Sequence, residues 1–263
     1  MFVPGPELGN EVYMARYKHI GVTGANGKVG RVLVDGLRDE YDVTALTRRE
    51  VDFPSTVVSL SDREALAEAL SGIEALIHLG ADPSPTSGWE SIRDNNIDAT
   101  YNVFDACVTA GVKRMIFAST NHTMHGHTIK TTPETLDPAK TVQRKLTDPV
   151  NPDSLYAVSK LFGEQIGKLY SEQHGLEFVG MRIGWMIAEN DPSTKKGTSA
   201  EDYMRAMWLS HRDCIAAHKR AIEVDTLYLL AYVVSNNDRR VFDLEETEET
   251  LGYKPVDNSE AYW

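Results

Sequence analysis

Tyr156 and Lys160 stand four positions apart in Tyr156-Ala157-Val158-Ser159-Lys160, so a helix there brings a phenol and an ammonium to one face. A nearby fixed positive charge favours the phenolate and lowers a tyrosine pKa from its usual value near ~10, so the pair can move a proton. The same spacing also occurs on exposed helices as a solvated pair. Other residues have to separate the two readings. Upstream, Gly24, Gly27 and Gly30 follow the pattern G-x-x-G-x-x-G between an apolar run and an amphipathic segment. A glycine turn placed there lets backbone approach a pyrophosphate at a helix N-terminus, although this spacing departs from G-x-G-x-x-G and also suits a plain tight turn. Further on, Phe117-Ala118-Ser119-Thr120-Asn121-His122 ends another apolar run in hydroxyl, amide and imidazole groups.

Elements must hold these groups together. Apolar runs predict strands over 18–23, 41–47, 57–58, 73–79, 112–119, 176–183 and 228–234. Helical spacing predicts helices up to 37, and over 62–70, 89–111, 200–210 and 215–221. Pro152, with Asn151 or Asp153 as its cap, predicts the start of a helix that carries Tyr156 and runs to about His174. Strands alternating with helices imply an α/β fold whose parallel sheet is covered on both faces, with ligands at the carboxyl ends of the strands. One domain over 18–263 is expected, with a small cap over the strand ends drawn mainly from 185–263, and 1–17 as an N-terminal extension.

A formal charge of −12, with no run of Lys or Arg longer than two, argues against nucleic-acid and anionic-membrane partners. Residues 1–17 lack the basic start and apolar run of a secretion signal, and nothing later reaches the ~18 apolar residues of a membrane span. Cys107 and Cys214 fit neither a disulfide framework nor a zinc spacing, so a reducing cytoplasm is expected. His122, His125 and His127 share one loop, yet no carboxylate or cysteine joins them at the usual spacing, and no metal site is expected. The second strand ends Leu46-Thr47-Arg48-Arg49, without the acid that binds an NAD ribose. NADP is therefore favoured over NAD, with Arg48 or Arg49 placed to pair with a 2′-phosphate.

Taken together, the glycine turn, the hydroxyl after strand five and Tyr156-x-x-x-Lys160 resemble the extended short-chain dehydrogenase/reductase superfamily. A narrower resemblance is to uronate dehydrogenase and archaeal aldose and glucose-6-phosphate dehydrogenases. It rests on Phe117 to Thr123, Leu155 to Glu164, Met181-Arg182-Ile183-Gly184, Trp208-Leu209-Ser210 and Leu251 to Pro255. The resemblance implies a Rossmann-type doubly wound sheet and a homodimer built on the long helices. It also implies hydride transfer from C1 of a cyclic sugar, giving a lactone. Tyr156 would be the base, Lys160 would lower its pKa, and Thr120 would hold the reacting oxygen. The cofactor would lie along Gly24, Asn26, Gly27, Lys28, Val29, Gly30, Thr47, Arg48, Ser59, Leu60, Leu79, Gly80, Ala81, Asn96 and Ile183, and against Tyr156 and Lys160. The sugar would meet Ser84, Thr120, Asn121, His122, Trp185, Tyr203 and Arg205.

Trp185 and Tyr203 replace the small serine and the carboxylate-holding arginine of uronate dehydrogenase. That exchange points to a neutral aldose, while Arg205 keeps an anionic substrate open. Two other readings share parts of this pattern: a nucleotide-sugar epimerase or dehydratase, and a non-catalytic NAD(P)-sensing regulator.

Overall fold

The computed structural model describes residues 15–128, 137, 139 and 142–263, so most of the expected N-terminal extension lies outside the described residues. The strands are β1 (His19–Thr23), β2 (Asp42–Thr47), β3 (Thr56–Val57), β4 (Ala75–His78), β5 (Arg114–Thr120), β6 (Glu177–Ile183) and β7 (Tyr228–Val233). All pair in parallel, in the order β3-β2-β1-β4-β5-β6-β7. The helices are α1 (Lys28–Leu37), α2 (Arg63–Ala69), α3 (Trp89–Ile92), α4 (Ala99–Ala110), α5 (His125–Thr128), α6 (Leu155–His174), α7 (Glu201–Met207), α8 (His211–Glu223) and α9 (Glu245–Leu251). This is the expected Rossmann-type doubly wound sheet, and its strand order reverses between β1 and β4, which opens a crevice at the carboxyl ends. Among the described residues, no helix is long and apolar enough to cross a membrane.

Alternation along the strands sends side chains to two cores. On β5, Ile116 joins Leu33 and Leu37 of α1 and Cys214 and Ala217 of α8, whereas Met115 and Phe117 join Val103 and Phe104 of α4 and Ile166 of α6. Helix α6 lies close to the sheet because Gly163 and Gly167 face it. A Cβ at Gly163 would run into the Phe117 ring, and one at Gly167 into the Phe178 ring.

Two expectations change. The helix expected over 89–111 is interrupted by a π-helical segment, Arg93–Asp98, between α3 and α4. Helix α6 starts at Leu155 with Ser154 as its cap, the Ser154 hydroxyl accepting from the Ala157 amide at 3.2 Å, because Asp153 turns to two histidines instead. Residues 185–263 do not all lie over the strand ends: β7 extends the sheet beside β6 and α8 packs on α1, where its Ile215 fills the space over Gly36.

Candidate active site

One cleft of about 1480 Å³ runs along the carboxyl ends of the strands, from the glycine turn to Trp185 and Tyr203. At its first end Gly24 adopts φ +67°, and a Cβ there would sit 2.9 Å from the Gly80 amide nitrogen. A Cβ at Gly30 would collide with the Gly24 carbonyl, so α1 can approach the turn only with glycine at that position. Gly27 caps α1 and offers no side-chain acceptor, which leaves the first amides of the helix open toward the cleft. Those are the features a dinucleotide pyrophosphate requires, and the residues fit it. Asn26, Lys28, Val29, Ser59, Leu60, Leu79, Gly80, Ala81 and Ile183 line the same cleft. Thr47 and Arg48 line it as well. The Thr47 hydroxyl lies 3.0 Å from that of Ser55, and exposed Arg48 has no carboxylate partner among the described residues.

Thr120, Tyr156 and Lys160 meet midway along the cleft. Strand β5 delivers Thr120, and the first two turns of α6 deliver the other two. Burial raises the Tyr156 phenol above its ordinary value, and a hydrogen bond with Thr120 works in the opposite direction. The Lys160 ammonium lies 4.9 Å from the Phe117 ring centre and 5.8 Å from that of Tyr156, and burial pushes it down to about 8. It lies beside the Tyr156 ring, where its charged form favours a phenolate.

The far end holds Asn121, His122, Trp185 and Tyr203. Asn121 Nδ2 donates to the Tyr203 hydroxyl at 2.6 Å, and that hydroxyl lies 3.0 Å from His125 Nε2. The Trp185 and Tyr203 rings are 5.4 Å apart, held by the bridge that joins Trp185 to Trp208. Asp153, expected only as a helix cap, and His125, expected only as part of its loop, belong here. Asp153 receives His122 Nδ1 at 3.0 Å and His125 Nδ1 at 3.1 Å on one carboxylate oxygen, across 31 and 28 positions. Burial opposes ionisation of Asp153, but bonding to His125, the His122 charge and the Ser154 hydroxyl outweigh it and hold the carboxyl well below the usual range. The carboxylate absent from the local spacing is thus supplied by the fold; the side chain of His127 lies outside the described residues.

Three expected contacts lie elsewhere. Asn96 is buried in the π-helical segment, where it bonds both backbone groups of Asp82 at 2.8 and 3.1 Å and donates to Ser159 at 2.9 Å. It braces α6 from behind the cleft. Ser84 turns its hydroxyl to Thr86 at 3.0 Å. Arg205 points away from the cleft onto Glu260, its Nε 3.0 Å from Oε1, and stacks on Trp263, so it offers the sugar end no cation.

Burying Lys160 has a measurable consequence. Its folded pKa is depressed, so below about 8 the folded chain bears a charge it disfavours. Between about 8 and 10.5 the unfolded chain binds more protons, and stability contributed by this group rises with pH. Lys160→Met is expected to stabilise the cofactor-free protein at pH 7 by up to about 3 kcal/mol and to flatten that rise. Urea denaturation at pH 7 and pH 10 measures both, and equal midpoints for variant and parent at pH 7 would contradict the strain.

Residues 20–215 match the model of the NAD dependent epimerase/dehydratase family. The chain is 42% identical to L-arabinose 1-dehydrogenase (NAD(P)(+)) of Haloferax volcanii over 91% of its length and 97% of that protein's. It is 35% identical to the NAD-dependent glucose-6-phosphate dehydrogenase of the same organism, over 92% and 94% of the two lengths. A uronate dehydrogenase variant from Agrobacterium tumefaciens, solved in complex with NAD, superposes with a TM-score of 0.78 at 28% identity, covering 93% of this chain and 87% of the other. With the family model spanning the sheet from β1 into α8, the chain belongs to the NAD dependent epimerase/dehydratase family.

Proposed function

We propose that this chain is an NADP-preferring dehydrogenase that oxidises C1 of a cyclic, uncharged aldose to the lactone. The observation that carries the reading is the meeting of Thr120, Tyr156 and Lys160 between an open glycine turn and an aromatic-walled end. When bound, the nicotinamide supplies the hydride acceptor. Thr120 and Tyr156 hold the C1 hydroxyl, Tyr156 takes its proton, and the Lys160 charge stabilises the phenolate. Trp185 and Tyr203 give the sugar C–H face an apolar wall, while Asn121 and His122 meet its hydroxyls.

One observation favours a neutral sugar over a uronate or sugar phosphate. Among the described lining residues, the sugar end has no Lys or Arg besides Lys160: Arg205 is held by Glu260, and Lys195 lies over the Trp185 ring, 5.7 Å from its centre, without lining the cleft. The 42% identical arabinose dehydrogenase supports the same substrate class. Exposed Tyr101 and Val108 on α4, and Leu155, Val158 and Leu169 on α6, form an apolar surface suited to a homodimer.

Initial rates for neutral aldoses, uronates and sugar phosphates, each with NAD and NADP, test the reading. Neutral aldose with NADP is expected to be fastest. Arg48→Ala is expected to raise KM for NADP about tenfold and leave that for NAD nearly unchanged, since a hydrogen bond to a charged group contributes about 1.5–3 kcal/mol. Unchanged NADP kinetics in this variant would refute the cofactor assignment, and preference for an anionic sugar would refute the substrate class.

A further inference from the structure

We propose that His122, His125 and Asp153 form a binding site for a divalent transition-metal ion at the sugar end of the cleft. Their nearest ligand atoms lie within 4.8 Å of one another, on the wall of an accessible cavity. The Asp153 Oδ2 separations from the two Nδ1 atoms, 3.0 and 3.1 Å, fall in the range of about 2.8–3.6 Å set by metal–ligand bonds of ~2.0–2.2 Å meeting at octahedral to tetrahedral angles. Backbone geometry fixes the pair of rings. His122 lies in the 3₁₀ turn after β5 and His125 follows three positions later, which brings the ring centres 3.9 Å apart with their planes tilted by 45°.

Features around the triad support an ion. A histidine bound through Nδ1 carries its proton on Nε2 and needs an acceptor there. The Tyr203 hydroxyl oxygen, 3.0 Å from His125 Nε2, supplies one and is itself fixed by Asn121. Among the described residues no hydrogen bond reaches His122 Nε2, and the side chain is partly exposed, so solvent can accept that proton. Two imidazoles and one carboxylate suit Zn²⁺, Co²⁺ or Ni²⁺ rather than the oxygen-seeking Mg²⁺. All three residues line the cleft.

Calorimetric titration of the full chain with Zn²⁺, without cofactor or sugar, tests the site independently of turnover. One ion per chain is expected, with no comparable binding of Mg²⁺. His125→Gln is expected to weaken Zn²⁺ binding by about 100-fold or more, at or beyond the upper end of the loss seen when an outer-shell partner is removed. In the parent protein, Zn²⁺ is expected to protect His122 and His125 from diethylpyrocarbonate, read by peptide mass spectrometry, so the result does not hinge on the variant's folding. Equal Zn²⁺ affinity in folded His125→Gln, or unprotected His122 and His125 at saturating Zn²⁺, would overturn the site.

Discussion

Tyr156→Phe is expected to lower kcat for sugar oxidation by about 10²–10⁴-fold, the range supplied by a positioned acid–base group. The ring that contacts His122 edge-on, 5.9 Å between centres, is retained, so the cleft keeps its shape. The Kd for NADP, measured by fluorescence titration, is therefore expected to stay within about threefold of the parent value, well under the 1.4 kcal/mol that makes a tenfold change. That split separates chemistry from binding. A variant that keeps more than a tenth of the parental kcat would remove Tyr156 from the mechanism, and the non-catalytic regulator would become the better reading.

Arg182→Met carries the largest expected loss of stability. Arg182 and Glu164 are 3% and 1% exposed, and their side chains meet in two bonds of 3.0 and 2.9 Å between β6 and α6. Ser119 adds its hydroxyl to the same carboxylate at 2.5 Å. Removing the guanidinium leaves a buried carboxylate without its counter-charge, at a cost of about 3–5 kcal/mol. Urea unfolding is expected to show this as a lower midpoint with little change in slope. Arg182→Met combined with Glu164→Leu is expected to recover most of the loss, because two apolar side chains replace the pair without an orphaned charge. A single variant as stable as the parent would mean that the charge is relieved by solvent reaching Glu164.

The framework was legible because its signals are local. Apolar runs gave all seven strands, and the glycine turn and the i, i+4 pair lie on adjacent residues of single elements. What escaped depends on contacts between distant segments. Asp153 reads as a helix cap beside Pro152, yet the fold carries it to histidines 28 and 31 positions away, and Ser154 caps instead. Arg205 reads as a free cation near the sugar, but Glu260, 55 positions on, claims it. Helix α9 was not anticipated. Its sequence is strongly acidic with little apolar periodicity, and it is anchored by Thr247, whose hydroxyl accepts the Tyr232 amide of β7 at 3.0 Å. Nor did composition reveal the π-helical segment, which turns Asn96 onto the back of α6.

Gly163 and Gly167 contribute no side-chain atom to the cleft, yet they set how deeply the catalytic helix beds into the sheet, against Phe117 and Phe178. They lie one and two turns beyond Lys160. In mechanical terms they separate a part whose spacing is fixed from walls that can be replaced. Walls contributed by Trp185 and Tyr203 can be exchanged to try a new sugar, because neither lies on α6. A methyl group added at Gly163 would lever Tyr156 and Lys160 away from Thr120 together. What the chemistry needs kept is thus a gap between a helix and two phenylalanines, and new specificities can be tried around it without rebuilding the reaction.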